Sequence, residues 1–556
     1  MSQLKPKLFS VMKHYTKEQF VKDVISGVIV AVIALPLSIA LAIASGATPE
    51  AGLYTAIIGG FIVSFLGGSR VQIAGPTGAF MIIVFGVISK YGLDGLFIAT
   101  VMAGLIMIFL GITKLGSMIK FIPYPIITGF TSGIALVIFS SQVNDFLGMD
   151  IENVPAEFFG KWASYFTHLG QINYISVGIG LLSLLIIIFW PKISKKIPGA
   201  LVAIVISALL VSIFKLDVAT VGSKFGELSS ALPTPHIPTI TLEKIKMLIP
   251  SAFVIAFLGS VESLLSAVVS DGMIGSRHRS NMELIAQGTA NIGSALFGGI
   301  PVTGAIARTV ANIKNGGRTP IAGMVHSITL LLMLVLLMPL VQLVPLSALA
   351  AILFMVAYNM SEWREFVHLF KSPLSDVLVL VTTFILTVTV DLVVAIEVGL
   401  FLSIFLFMKR MSEVSDISVK KLDFTENNDG AGFDFEKENK VYSTDERIVM
   451  YQINGPFFFG AAHKFIEAIN NLHVKTSFLI IGMKHVPAMD ATALHSFQSS
   501  LKICSNKNIT VLVTGLRKQP LEAMKKAELI GLIGEDHFFE TIEVANKYAV
   551  EAIKNN

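Results

Sequence analysis

Pro76-Thr77-Gly78-Ala79-Phe80 and, 225 residues further on, Pro301-Val302-Thr303-Gly304-Ala305-Ile306 are the two stretches that decide the fold of this chain. Each joins a proline to Thr-Gly-Ala at the mouth of an apolar run, in a chain that otherwise reads as successive membrane helices. Proline lacks a backbone donor and glycine tolerates unusual dihedrals, so both stretches predict irregular backbone just before a helix begins. At membrane depth such backbone is tolerated only where it is buried in protein or lines a cavity. Two interruptions at comparable places in the two halves of a membrane protein point to a transporter with a binding site near the midplane. The free N–H groups of both half-helices would face that site, which suits an anion.

Composition places the rest of the chain in a bilayer. Of its 556 residues 53% are hydrophobic and 14% charged, with a mean hydropathy of +0.73, whereas a soluble average is about 25% charged. Val24 to Ala44 is too long for a signal-peptide core. It follows Lys5, Lys7, Lys13, Lys17 and Lys22, so residues 1–22 are expected to form a cytoplasmic tail. The single cysteine, Cys504, excludes an internal disulfide and a Cys-based metal site, and no HExxH or EF-hand pattern occurs. No cofactor, no resident metal and no enzymatic activity are expected. The net charge of +4 is small, and the basic residues scatter among loop ends without forming a nucleic-acid patch.

Apolar runs from Val24 to Met408 can be cut into twelve to fourteen spans, and fourteen divides them into two sets of seven, about 23–215 and 249–410. In that division Arg70, Lys114 with Lys120, Lys192 with Lys195 and Lys196, Arg277 with Arg279, Lys314 with Arg318, Arg364 with Lys371, and Lys409 with Arg410 all follow even-numbered spans. With the N-terminus inside, all of these loops are cytoplasmic. The connection from Lys215 to Ile249, which holds Lys215, Lys224, Lys244 and Lys246, lies outside and fits the charge rule imperfectly. Its Leu232-Pro233-Thr234-Pro235-His236-Ile237-Pro238 run joins the halves. An odd number of spans per half inverts the second repeat relative to the first. The expected fold is therefore mostly α and polytopic, with short half-helices at spans 3 and 10.

Beyond Arg410 the composition changes. Residues 411–440 are polar, with Asn427-Asn428-Asp429-Gly430, and read as a flexible linker. Residues 441–556 alternate strands with amphipathic helices: strands at Ile448–Ile453, Phe478–Ile481 and Thr510–Val513, helices at Ala461–Leu472, Thr492–Ser505, Pro520–Leu529 and Ile542–Ile553. This α/β domain is cytoplasmic if the span count is even.

Through Gly68-Ser69-Arg70, Ala74-Gly75-Pro76-Thr77 and Gly299-Ile300-Pro301-Val302-Thr303-Gly304-Ala305-Ile306-Ala307-Arg308-Thr309, the sequence resembles the SulP family of anion transporters, bacterial relatives of the animal SLC26 exchangers. Asn312 and Gly316-Gly317-Arg318-Thr319 extend the second block. The terminal domain resembles the STAS domain of such transporters, with Val486-Pro487-Ala488-Met489-Asp490-Ala491-Thr492-Ala493-Leu494 matching its central strand-loop-helix. The resemblance implies a seven-plus-seven inverted repeat, a core that moves against a gate, an anion held between the third and tenth spans, and a homodimer. Carried over by position, the substrate contacts fall on Thr77 and Gly78, on Ala305, Ile306, Ala307 and Arg308, and on Leu37 and Leu41 after Pro36. The ion-coupling set falls on Glu262, with Ser266 one turn on and Gly304 of the second break. Many relatives carry glutamine or glutamate where this chain has Leu37, and sodium-coupled bicarbonate members carry aspartate with hydroxyl neighbours where it has Glu262.

Each of these residues also has a plainer reading. An ionised carboxylate within a span costs roughly 2.5 to 3.5 kcal/mol, so Glu262 is either a structural hydrogen-bonding group or a coupling acid. Burial works against the charged form of a carboxylate, which suits loading and releasing a proton. Arg308 either raises the potential at the anion site or pairs structurally with an acid such as Glu262. Thr77 either binds an anion through its hydroxyl or caps a helix. Asp391 reads as solvated, Glu397 as an intramembrane acid without an assigned role, and His278, His326, His485 and His495 show no ligand spacing. In the terminal domain Ala491 stands where STAS-fold anti-sigma-factor antagonists carry a phosphorylated serine, leaving Thr492 as the only substitute and a structural or partner-docking use as the favoured one.

The expected function is proton-coupled symport of a small inorganic or organic anion, sulfate or a dicarboxylate such as fumarate, by alternating access at the inner (plasma) membrane. Sodium-coupled bicarbonate symport, an uncoupled anion channel or exchanger, and a receptor or scaffold are the alternatives. A cytoplasmic protein partner is expected for the STAS domain.

Overall fold

Wherever the apolar runs carry enough length, they form helices that leave their polar breaks between them. The computed structural model describes residues 4–116, 123–151, 154–155, 157–194, 197–390, 392–414, 416–420, 447–472 and 475–555. Lys120, Lys195, Lys196, Asp391 and most of the 411–440 linker, with Asn427 to Gly430, lie outside the described residues. The chain divides into two units, Met1–Leu402 and Ser403–Asn556.

The first unit begins with α1 (Lys7–Val11) and α2 (Lys17–Ala44), the latter capped by Thr16, whose hydroxyl accepts from Gln19 N at 3.2 Å. The helix α2 thus takes in the last residues of the segment read as a tail. A π-helical turn, Thr55–Gly59, joins α3 (Pro49–Tyr54) to α4 (Gly60–Leu66), and β1 (Ala74–Gly75) leads to α5 (Gly78–Ile112). At Gly92, with φ 72° and ψ −177°, α5 breaks into the two segments expected as spans 3 and 4. There follow α6 (Tyr124–Leu147), α7 (Phe158–Thr167), α8 (Tyr174–Ile193), α9 (Gly199–Phe214) and α10 (Val221–Phe225). The second half comprises α11 (Leu242–Ile274), α12 (Ser280–Leu296), β2 (Thr303–Gly304), α13 (Ile306–Lys314), α14 (Pro320–Val341), α15 (Leu346–Met360), α16 (Trp363–Leu369), α17 (Leu374–Thr389) and α18 (Leu392–Val414). The span expected from Pro250 starts earlier: Thr241 caps α11 and Pro250 lies inside it.

Among the described residues eight helical stretches are long and apolar enough to cross a membrane by length and composition: α2, α3 with α4, α5, α6, α8, α11, α14, and α15 with α16. The apolar helices α9 and α17 are shorter. Two sub-bundles result. In one, α5 packs on α11 and α12, α2 on α14, and α4 on α12 and α14; in the other, α6 packs on α15 and α17, and α8 on α9 and α15. The first sub-bundle carries both breaks. Close approach holds it together: a Cβ on Gly104 of α5 would strike the Gly288 carbonyl of α12, and one on Gly288 the Gly104 carbonyl.

The second unit is a five-stranded sheet, β3 (Asp416–Lys420), β4 (Ile448–Asn454), β5 (Phe478–His485), β6 (Thr510–Thr514) and β7 (Phe538–Phe539), in that order. Only β3 is antiparallel to its neighbour. The helices are α19 (Phe459–Asn470), α20 (Ala491–Asn506), α21 (Lys518–Lys526), α22 (Leu529–Ile533) and α23 (Ile542–Asn555). Phe457, Phe465 and Phe497 fill one face of the sheet, and Ala545 and Ala549 of α23 cover the other. Burial on both faces explains why the strands read as unbroken apolar runs. Two sequence expectations shift here. The strand β3 arises inside the segment read as linker, so the sheet starts before residue 441, and the helix expected over Pro520–Leu529 divides at Glu528, whose φ is 57°.

Candidate anion-binding site

The two breaks meet. Ala74 pairs with Gly304 and Gly75 with Thr303 in a two-stranded antiparallel ladder, extended by Ala305 N donating to the Ile73 carbonyl at 2.8 Å. Side chains take up the remaining backbone groups. The Asn291 amide donates to the Val302 carbonyl at 2.8 Å and accepts from Val302 N at 3.0 Å. Ser263 Oγ accepts from Gly304 N at 3.1 Å and lies 2.7 Å from Thr303 Oγ1. Irregular backbone is thereby satisfied by protein, as the hydrocarbon region demands. Each break is also covered by a side chain from the other: a Cβ at Gly75 would overlap the Arg308 guanidinium, and one at Gly304 would overlap the Gln72 amide.

Both half-helices begin without a side-chain cap. Thr77 has the extended N-cap conformation for α5 and Ala305 for α13, but neither makes a capping hydrogen bond. The first-turn N–H groups of an α-helix have no partner within the helix, so Gly78 and Ala79 on one side and Ile306, Ala307 and Arg308 on the other present free donors. The Thr77 hydroxyl instead donates to Glu262 Oε2 of α11 at 2.9 Å. Of the two readings of Thr77, the capping one therefore fails. Arg308 Nη2 donates to the Pro76 carbonyl at 2.6 Å, and Nη1 is buried with no hydrogen-bond partner among the described residues. The structure shows no ion pair between Arg308 and Glu262; the cation of the second break is anchored on the backbone of the first.

A cavity of about 530 Å³ lies over these groups. It is lined by Leu37, Leu41, Thr77, Gly78, Glu262, Ala305, Ile306, Ala307 and Arg308. Ile306, 38% exposed, and Ala307 face its open volume. Ser266 and Gly304 do not line it: Ser266 Oγ donates to Thr309 Oγ1 at 3.3 Å, and Gly304 lies behind, held by Ser263. The opposite wall comes from the second sub-bundle, with Phe130 and Thr131 of α6, Asn359 and Met360 of α15, and Glu362.

Sequence reasoning missed Gln72, Ser263, Asn291, Thr131, Asn359 and Glu362. Only α12 carried a usable signal, since Glu283, Gln287 and Asn291 recur every fourth residue in an otherwise small and apolar helix. Glu283 Oε2 accepts from Gly68 N at 2.8 Å and Ser69 N at 3.0 Å, and Oε1 from Gln287 at 3.1 Å. Asp23 ties the other loop, accepting from Arg318 N at 2.9 Å and Thr319 Oγ1 at 2.5 Å. Glu397 is exposed on α18 and does not line the cavity, and His326 is buried in α14 with neither ring nitrogen bonded among the described residues. In the second unit Asp490 Oδ1 caps α20 by accepting from Ala493 N at 2.7 Å, with Ala491 and Thr492 exposed beside it. Cys504 is buried, which pushes its thiol up to about 11.

Comparison with known proteins agrees with this architecture. Residues 20–383 match the model of the sulfate permease family, and residues 439–545 match that of the STAS domain. YvdB of Bacillus subtilis (strain 168), which carries a sulfate-transporter name, is 41% identical over 95% of this chain and 97% of its own. The bicarbonate transporter BicA of Picosynechococcus sp. is 31% identical over 96% of this chain and 95% of its own. The solved structure of SLC26A9 superposes with a TM-score of 0.86 at 18% identity, covering 99% of this chain and 93% of that one, and so shares its fold. With its paired breaks, its two sub-bundles and its terminal α/β unit, the chain belongs to the sulfate permease (SulP) family of membrane anion transporters, not to an enzyme family, and ends in a STAS domain.

Proposed function

We propose that this protein is a secondary active transporter that holds a small anion between the N-termini of α5 and α13 and carries a proton on Glu262. One observation carries the reading: Thr77 stands at the start of α5 with its hydroxyl on Glu262, so the end that receives the anion and the acid share one hydrogen bond. Two uncapped helix starts favour negative charge by about 0.3 to 2 kcal/mol each, and the Arg308 cation adds to them. Leu37 and Leu41 leave recognition to backbone dipoles, which select charge sign above chemical identity. Sulfate and dicarboxylates such as fumarate are the proposed cargo, in keeping with the name of YvdB.

Sodium-coupled bicarbonate uptake is the second reading, favoured by the likeness to BicA. A sodium ion at Glu262 needs further oxygen ligands. Ser266 does not line the cavity, which leaves Thr77 as the hydroxyl beside the acid and supports the proton.

The cavity is lined where α8 and α15 end and α6 and α9 begin, next to the loops bordered by Lys114, by Lys192 in the last turn of α8 and by Arg364 at the start of α16. The charge rule sets those loops in the cytoplasm. We accordingly place the opening, the N-terminus and the STAS domain on the cytoplasmic side of the plasma membrane, with fourteen spans and a homodimeric assembly, and a cytoplasmic protein docking on the STAS domain. Reconstituted uptake of sulfate, fumarate, bicarbonate and chloride, under proton and sodium gradients imposed in turn, tests cargo and coupling together. Sodium-driven bicarbonate uptake without proton dependence would overturn the first reading in favour of the second.

A further inference from the structure

A second concavity lies at the end of the bundle where α1 packs against α4 and α14. It encloses about 520 Å³ and is lined by the cations Lys7, Arg70 and Arg318 together with Ser10, Thr16 and Gln19. No carboxylate is among its lining groups. Asp23, which accepts from the lining residues Tyr15 and Gln19, is itself fully buried and spends its oxygens on these two, on Arg318 N and on Thr319.

Two of the three cations are held in place by backbone carbonyls. Lys7 Nζ donates to the Arg277 carbonyl at 2.8 Å, and Arg318 Nη1 donates to the carbonyls of Ile313 and Gly317 at 2.7 and 2.8 Å. Arg70 Nε is buried with no hydrogen-bond partner among the described residues. Burial, and then the charges of Arg279 and Arg70, pulls the Lys7 ammonium below its ordinary range, with Asp271 acting against them. A solvated basic surface spreads its charges apart; here three converge on one concavity, an arrangement that repels itself unless an anion sits between them.

We infer that this concavity binds a phosphate group, supplied by the headgroup of an anionic phospholipid or by a soluble phosphate. Two guanidinium forks and an ammonium match the oxygens of a phosphate, which accepts bidentate pairs from arginine. The lipid source has a further feature in its favour. At the rim Phe9 of α1 and Met12 in the turn that follows it are exposed, with the Phe9 ring 6.3 Å from that of Phe65, as an interfacial segment is when its apolar face meets acyl chains. Occupancy would pin the N-terminal segment to both breaks at once. Arg70 lies four residues before β1, Arg318 four residues after α13, and Lys7 N already donates to the Gly67 carbonyl at 2.9 Å.

The test uses the full-length protein in nanodiscs and reads its melting temperature. One arm replaces phosphatidylcholine by phosphatidylglycerol; the other titrates inorganic phosphate into phosphatidylcholine nanodiscs, with chloride at equal ionic strength as the control. A rise in Tm in the first arm assigns the lipid, and a rise in the second the soluble ion. In either case Arg70→Gln is expected to weaken the effect about ten-fold, the loss of one charge-assisted pair, and Arg70→Lys to recover part of it. Lys7→Gln carries the same expectation should Arg70→Gln fold poorly. No rise in either arm, or a rise unchanged in the Arg70→Gln and Lys7→Gln proteins, overturns the inference.

Discussion

Replacing Glu262 by glutamine separates proton coupling from anion binding. The carboxylate accepts from Thr77 Oγ1 at 2.9 Å, and a glutamine side-chain oxygen at the same place accepts that bond equally. Glutamine carries no charge, so the cost of an ionised group within the bilayer disappears and the variant should fold as well as the parent. What it loses is the proton. One proton carried with each anion contributes about 1.36 kcal/mol per pH unit across the membrane, or about ten-fold accumulation, and a gradient of about two units gives about a hundred-fold. The assay is uptake of labelled anion into liposomes, with the membrane potential clamped by valinomycin and equal potassium on both sides. The parent protein should overshoot in proportion to the imposed pH gradient. Glu262→Gln should level off at equal concentrations inside and out, while still exchanging internal for external anion. Gradient-driven accumulation by the glutamine protein, equal to that of the parent, would refute the role given to this acid.

Three further expectations concern single residues. Arg308→Ala removes a permanent charge and leaves the buried Pro76 carbonyl unpaired, so the anion Kd should rise about ten-fold or more; calorimetric titration showing an unchanged Kd would make this arginine scaffolding alone. Gly75→Ala puts a Cβ into the Arg308 guanidinium and should cost about 1–3 kcal/mol by overpacking, read as a lowered Tm, whereas Gly86→Ala, which meets no neighbour, should not lower it. Burial, opposed by Lys507, raises the Cys504 thiol to about 11. At pH 8 about one Cys504 in a thousand is then a thiolate, against about a quarter of free thiols. Maleimide should therefore label the folded protein slowly and the denatured protein at once; rapid labelling of the folded protein contradicts the buried position.

Much of the site could be read along the chain because its signals are local. A proline and a glycine beside an apolar run mark a broken helix wherever the chain goes next, and both breaks lie where Pro76 and Pro301 placed them. An acid such as Glu262 stands out against its apolar neighbours for the same reason. Glu283 of α12 is a different case: it accepts from Gly68 N and Ser69 N, so a buried acid at a helix start also serves to hold a loop. The strand β3 was hidden in a polar segment because its pairing partner, β4, supplies the order that its own composition does not announce.

The amino-acid order alone determined a polytopic helical protein, two interrupted helices, an acid within a span, an arginine behind the second break and an α/β domain at the end. Each rests on the hydropathy or backbone freedom of a few adjacent residues. Only the tertiary structure decided that Ala74 and Gly75 pair with Gly304 and Thr303, that Arg308 is held by the carbonyl of Pro76, and that Thr77 turns its hydroxyl from the helix start to Glu262. Those contacts join residues far apart in the chain, and each hydroxyl, guanidinium or amide has several partners it can satisfy. Which partner it takes is set by the packing of whole helices, and no local pattern encodes that choice.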